Sequence, residues 1–215
     1  MLHAVVFDIG GVLELTPSTG YRERWEKSLG LAPGELDRRM AGVWWGGTLG
    51  TLTREQVHEA FVRNLGMPPE DVELFMADFW ADYLGSPNTE LIDYFRALRP
   101  RVRTGILSNS FVGAREKERE RYGFEDMTDV LVYSHECGMA KPDPAIYRLV
   151  CERLDVEPDS AAFVDDREEA LAGARAIGMK AVLFRDNAQA IAELEALLAH
   201  GGSVEERNAH ADRLP

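Results

Sequence analysis

Asp8, Ser108-Asn109, Lys141 and Asp165-Asp166 are the residues whose types and surroundings could do chemistry. Asp8 ends an apolar run, Ala4 to Phe7. Gly10 and Gly11 follow it, permitting a tight turn and leaving room for a ligand beside the main chain. Ser108-Asn109 ends a second apolar run and Asp165-Asp166 a third. Lys141 stands before Pro142 and Pro144, on a loop of restricted backbone. Three carboxylates drawn together repel one another and cannot all stay ionised without a cation. Carboxylates with backbone carbonyls suit a hard ion, and Mg²⁺ is the usual one beside phosphate. Lys141 and the Ser108 hydroxyl could hold phosphoryl oxygens, leaving Asp8 to attack phosphorus and form an aspartyl-phosphate. Each residue alone also has a plainer reading. Ser108-Asn109 can be a turn, Lys141 a solvated surface lysine, and Asp165-Asp166 a helix cap and dipole partner. The chemistry requires a fold that brings all of them to one edge.

The pattern of elements supplies such a fold. Ala4–Phe7 reads as a strand buried on both faces. Regular strand signal then vanishes until about residue 101. Between them, Tyr21, Trp25 and Leu29 mark a helix over 17–29. Leu36, Met40, Val43 and Trp44 mark another, closed by Gly46-Gly47. Thr53 to Gln56 fits a capping box for a helix to about Asn64. Pro68-Pro69 opens a fourth, carrying Val72, Phe75, Met76, Phe79 and Tyr83 on one face. An all-helical insert over 15–86 follows. From Asn88, expected to cap a helix through Leu98, strands at 102–107, 130–133, 161–164 and 181–184 alternate with helices at 111–122, 144–154, 167–177 and 188–199. The helix over 111–122 reads as charged and exposed. Alternation of this kind predicts an α/β fold with a Rossmann-like, doubly wound parallel sheet, whose strand ends meet along one edge. The predicted division is a core of 1–14 and 87–200, the insert 15–86, and a polar tail, 201–215.

The chain has 215 residues, 45% of them hydrophobic, and a formal net charge of −13. That length suits one core domain carrying a smaller insert. The acidic surface repels phosphate backbones and anionic lipid, so neither nucleic acid nor membrane is expected as a partner. Cys137 and Cys151 lack zinc or redox spacing and read as free thiols. With no signal-peptide core and no apolar run of transmembrane length, a cytoplasmic protein is expected. The sequence carries no signal for oligomeric state.

Phe7-Asp8-Ile9-Gly10-Gly11-Val12-Leu13, Leu107-Ser108-Asn109, Gly138 to Tyr147 with Lys141-Pro142-Asp143-Pro144 at its centre, and Phe163-Val164-Asp165-Asp166, in this order, resemble the motifs of the haloacid dehalogenase superfamily. The likeness covers about residues 2 to 190, and the helical insert sits where that family places its first-type cap. It is most similar to the Asp-x-Gly sugar-phosphate phosphatases and to the phosphatase domain of soluble epoxide hydrolases. The resemblance implies a Mg²⁺-dependent phosphatase acting on a small phosphorylated metabolite, sugar phosphates being among the candidates. It implies Asp8 as nucleophile and metal ligand, the Gly10 carbonyl and Asp166 as further ligands, and Asp165 close to the metal or its waters. Ser108, Asn109 and Lys141 would hold the phosphoryl group.

The sequence departs from most family phosphatases at Gly10, where they carry a second Asp as general acid and base. Such help is worth roughly 10² to 10⁴-fold, so its loss should favour leaving groups that need little protonation. Anomeric sugar, acyl and aryl phosphates fit that description, and Glu14 or a water could substitute. Two rivals stand beside this reading. A 2-haloacid dehalogenase would use Asp8 without metal, but Asp165 and Asp166 beside the nucleophile would repel its anionic substrate. A catalytically silent phosphate-binding protein would suit Gly10 but not the intact Asp8, Lys141 and Asp166. The insert's aromatics read mainly as a bundle core. Adjacent Trp44 and Trp45 cannot both face that core, so one is expected to reach the site's mouth. His135-Glu136 reads as loop rather than catalytic pair.

Overall fold

The computed structural model describes residues 1–16 and 18–211, those from 200 onward as backbone only. Strand β1 (Ala4–Phe7) is wholly buried and lies at the centre of a five-stranded sheet. Then come β2 (Glu14–Leu15), α1 (Tyr21–Ser28), α2 (Glu35–Thr48), α3 (Arg54–Leu65), α4 (Pro69–Leu84) and β3 (Ser86–Pro87). The chain returns through α5 (Thr89–Leu98), β4 (Arg103–Ser108), α6 (Ala114–Arg121), α7 (Phe124–Met127), β5 (Val130–Tyr133) and α8 (Ser134–Cys137). It closes with α9 (Pro144–Leu154), β6 (Ala161–Asp165), α10 (Glu168–Ala176), β7 (Lys180–Leu183) and α11 (Asn187–Ala211).

The sheet order is β5-β4-β1-β6-β7 and every pairing in it is parallel. Phe7 stands level with Ile106 on one side and Val164 on the other. Asp8 therefore emerges between the ends of β4 and β6, at the point where successive strands change direction along the sheet, the crevice that serves as a ligand site in open α/β folds. One face of the sheet packs through Val5, Phe7 and Ile106 against α5 and α11. The other packs through Val6, Leu107 and Phe163 against α9 and α10.

Helices α1 to α4 wrap a separate aromatic cluster of Tyr21, Phe61, Phe75, Phe79 and Trp80. The antiparallel ribbon of β2 and β3, unforeseen from the sequence, joins the two ends of this insert. Both strands are only two residues long, too short for a period to register. The insert's cluster also takes in Phe111 and Ala114 from the segment after β4. Close contact there needs glycine, because a Cβ on Gly47 would lie 2.1 Å from the Phe111 ring. Val112 N–H donates to the Gly47 carbonyl at 3.1 Å, and the Ser134 hydroxyl to the Thr48 carbonyl at 2.8 Å.

Several expectations need correction. Gly46-Gly47 does not end α2, which runs to Thr48; both glycines lie inside the helix, where Leu52 and Phe111 press against them. Asn88 stands at the start of α5 but its side chain does not cap it. Its amide donates to Val12 O and Asn187 Oδ1, tying the turn after β1 to α11. The helix over 111–122 begins only at Ala114, and it is not wholly exposed: Ala114 and Glu118 are buried. The helix read over 17–29 begins at Tyr21, and Pro17 lies outside the described residues. The last helix continues past Ala199 to Ala211, because Gly201-Gly202 costs helix stability without forbidding helix; residues 212–215 of the tail lie outside the described residues. The capping box is present, with Thr53 and Gln56 exchanging both hydrogen bonds.

Candidate active site

Asp8 leaves β1 with its main-chain N–H still bonded to Val164 O at 2.9 Å, so the sheet fixes its position. Its carboxylate turns back to accept from the Ile9 N–H at 2.8 Å. Beyond it the chain turns through Gly11, which adopts a left-handed φ of 76°. A Cβ on Gly11 would come within 2.4 Å of the Asp166 carboxylate, so this glycine is what lets the loops after β1 and β6 meet. At Gly10 the surroundings are open, and an added Cβ would meet nothing within 4 Å.

Asp165 ends β6, fully buried, and Asp166 follows it, exposed. Oxygens of Asp8, Asp165 and Asp166 lie within 4.8 Å of one another. The Lys141 ammonium, itself buried, sits 2.7 Å from Asp8 Oδ1 and 2.7 Å from Asp165 Oδ2. It also lies over the Phe163 ring at 5.3 Å. The other Asp165 oxygen accepts from the Arg167 N–H at 2.8 Å. Both Asp165 oxygens are therefore engaged, whereas Asp8 and Asp166 line the open cavity. Burial, with Asp165 as a repelling neighbour, pushes the Asp8 carboxyl above the usual carboxylate range against the pull of Lys141. Burial and then Asp165 raise Asp166 as well. Groups in this state are stabilised by a divalent ion. Two carboxylates lining the cavity with Gly10, and a third behind them, fit a hard oxygen-seeking ion such as Mg²⁺.

Lys141 is held from both sides. Its N–H donates to Asn109 Oδ1 at 2.8 Å, and Asn109 Nδ2 donates back to its carbonyl at 2.9 Å. The Asn109 side chain thus fixes the lysine loop as well as lining the cavity. Behind the loop, Gly173 allows α10 to approach, since a Cβ there would sit 2.4 Å from Pro142 O. Asp143 caps α9 through the Ala145 N–H at 2.9 Å. Ser108 ends β4, buried, and lines the same cavity.

The cavity above these groups measures about 620 Å³. Asp8, Gly10, Ser108, Lys141 and Asp166 form its floor, and Tyr21, Arg22, Trp45, Phe79, Asp82 and Tyr83 of the helical insert face them. All seven residues singled out from the sequence are thus brought to one place. Of the two tryptophans, Trp44 packs among Phe61, Phe75, Phe79 and Phe111, and its indole donates to Asp37 at 3.2 Å. Trp45 is the one that reaches the mouth, 56% exposed. His135 and Glu136 lie on the short helix α8 rather than in the expected loop, and they are not among the lining residues: His135 Nδ1 lies 2.6 Å from the Ser110 hydroxyl, and Glu136 pairs with Arg115.

Glu14, the candidate stand-in for the acid missing at Gly10, lines the cavity, but its pairing with a second buried glutamate was invisible in the sequence. Glu14 on β2 and Glu118 on α6 are both buried, and one oxygen of each has no hydrogen-bond partner. Glu118 accepts from the Tyr133 hydroxyl. Burial, and then their mutual repulsion, hold Glu14 far above the usual carboxylate range; burial does the same for Glu118. The only hint of it was the four-residue spacing of Ala114 and Glu118 on α6, and a glutamate among charged neighbours does not advertise burial.

Comparison with known proteins agrees with this geometry. The haloacid dehalogenase-like hydrolase family profile matches residues 2–178. Over 205 residues the chain is 33% identical to Phosphatase MT3486 of Mycobacterium tuberculosis (strain CDC 1551 / Oshkosh), covering 87% of this chain and 89% of that protein. It is 31% identical over 215 residues to Bifunctional epoxide hydrolase 2 of Sus scrofa, covering 90% of this chain but 38% of the longer relative. A wild-type HAD family enzyme, bt-2542 of Bacteroides thetaiotaomicron, solved in complex with magnesium and inorganic phosphate, shares the fold with a TM-score of 0.73. Its identity is 22%, covering 86% of this chain and 95% of that one. No helix among the described residues is long and apolar enough to cross a membrane.

Proposed function

This chain belongs to the haloacid dehalogenase-like hydrolases, and from that premise we propose that it is a Mg²⁺-dependent phosphatase that hydrolyses a small phosphate monoester through an aspartyl-phosphate on Asp8. The observation that carries the reading is the Lys141 ammonium, 2.7 Å from both Asp8 and Asp165, with Asp166 completing a carboxylate group at the carboxyl edge of the sheet. Asp8, Asp166 and the Gly10 carbonyl would hold the ion directly, and Asp165 would stand behind them. When bound, the ion supplies charge neutralisation that lets a phosphate dianion approach three carboxylates.

The residues of the chain then divide the work. Lys141 and the Ser108 hydroxyl hold non-bridging oxygens and stabilise the charge of the transferring group. Asp8 attacks phosphorus, a P–O bond forms to its carboxylate, and the bond to the leaving oxygen breaks. Water then attacks phosphorus and restores the Asp8 carboxylate, releasing inorganic phosphate. Asn109 acts through Lys141, whose main chain it holds. The leaving oxygen departs without a carboxylic acid at residue 10, so esters with stable leaving groups are favoured: anomeric sugar, acyl and aryl phosphates.

The test is a panel of phosphorylated metabolites with and without Mg²⁺. Turnover is expected with the ion and is expected to be lost with EDTA. Asp8→Asn is expected to reduce it at least about 10⁴-fold, as removal of a covalent nucleophile does. Metal-independent release of halide from 2-chloropropionate would overturn the proposal in favour of a dehalogenase. A wild-type protein inert across the panel would point to a binding protein instead.

A further inference from the structure

Trp45 is unlike the other large exposed apolar residues. Val62 and Leu74 stand singly on outer helix faces, as many do in folded proteins, whereas Trp45 is 56% exposed at the rim of the cavity that holds Asp8. Its position is rigidly set. Trp44 before it is locked into the aromatic cluster, and Gly46 and Gly47 after it are pressed against Leu52 and Phe111. The Trp25 and Trp44 indoles donate to Asp78 and Asp37, but among the described residues no hydrogen bond engages that of Trp45. A flat apolar face and a spare donor thus stand at the rim of a polar site, on a backbone that its neighbours hold in place.

The charges around the cavity constrain what can lie on that face. Among its described lining residues the cationic groups are Arg22, Lys141 and Arg167. They are outnumbered by the carboxyl groups of Asp8, Glu14, Asp82, Asp166 and Glu169 in the same lining. Asp82 on the same wall adds an acceptor, itself holding the Thr19 N–H and hydroxyl. A second anionic group would meet more acidic than basic side chains here. Hydroxyl groups would find acceptors.

We infer that Trp45 is a specificity-determining residue, receiving against its indole face the ring of a leaving group that bears hydroxyls and no second anion. The inference rests on the phosphatase reading and adds the shape and charge of the substrate: one phosphate on a neutral, hydroxylated ring. Such rings present C–H faces to the indole and hydroxyls to Asp82, and a cavity of about 620 Å³ is of the size that takes a small ligand.

The experiment compares kcat/KM for glucose 1-phosphate, glucose 1,6-bisphosphate and acetyl phosphate in the wild type, Trp45→Ala and Trp45→Phe. Comparing the ratio of ring to acyclic substrate between variants cancels the intrinsic reactivity of each ester. Trp45→Ala is expected to lower that ratio about three- to tenfold, carried by KM, as the loss of one aromatic face would. Trp45→Phe should retain most of the ratio. The wild type should prefer the monophosphate to the bisphosphate. A ratio that does not move in Trp45→Ala, or a bisphosphate handled as well as the monophosphate, overturns the inference while leaving the phosphatase standing. Failure of the wild type on all three esters and on the wider panel would sink the phosphatase reading and this inference with it.

Discussion

Asp8, Asp165 and Lys141 on one side of the cavity and Arg22, Trp45 and Asp82 on the other are held by different means. The first set sits on or beside strand ends, buried, with spacing dictated by parallel register and by two hydrogen bonds exchanged between Lys141 and Asn109. The second set projects from helices of an insert whose own core is a cluster of aromatic rings. A helix-borne side chain at the rim can change without disturbing the pleat beneath it. A change on the floor disturbs buried groups that are paired with one another. The geometry therefore separates bond-breaking, tied to the sheet, from selection, tied to the insert.

Three variants break or sharpen that contrast, in descending size of effect. Lys141→Met removes the one ammonium that the buried Asp8 and Asp165 carboxyl groups share. It is expected to cut kcat/KM about 10²–10³-fold and to cost about 3–5 kcal/mol in a urea titration. A variant with wild-type stability would show that the floor is not the electrostatically tense region described here.

Gly10→Asp is the second variant. An added Cβ meets nothing within 4 Å and the backbone there is not left-handed, so the fold should accept it. It is expected to raise kcat/KM on simple alkyl phosphates by about tenfold or more, within the general-acid range, and to raise it less on aryl phosphates. Equal gains on both would separate the effect from leaving-group protonation.

Glu118→Gln gives the smallest effect, in stability. Burial holds Glu118 above its unfolded value, so the folded form keeps its proton while the unfolded chain releases it above about pH 4–5. Stability contributed by the protonated group is complete below that pH and declines as pH rises toward the folded value. The Gln variant needs no proton, so its melting temperature should fall less steeply than the wild type's between pH 5 and 8. A gain of about 1 kcal/mol, or about 2–4 °C, is expected at pH 8. Parallel pH profiles would show that Glu118 is not held protonated in the fold.

The same contrast governs what could be read from the chain. Strand ends were legible because a buried parallel strand is a continuous apolar run, and the polar residue that stops it marks the carboxyl edge. Asp8, Ser108 and Asp165 all announce themselves so. The tryptophan pair was legible in part: periodicity separates Trp44 from Trp45 but does not say which one faces the site. The two-residue ribbon of β2 and β3 was not legible, having no repeat to detect. Nor was the pairing of Glu14 with Glu118, because its members lie 104 positions apart and Glu118 sits in a locally charged stretch. Gly46 and Gly47 misled for the same reason. Glycine in a helix usually signals an end, and only the approach of Phe111 from a distant segment reveals a contact instead.

Phe111 has a further bearing. It belongs by sequence to the loop after β4, yet its ring is packed among Trp44, Phe79 and Trp80 of the insert. A clamshell motion that lifted the helices off the sheet would bring this ring into water, at a cost of about 1.5–3 kcal/mol for the one side chain. It would also break the main-chain bond from Val112 to Gly47. The insert and the loop after β4 are accordingly fastened to one another, so that a displacement of either is felt by the other.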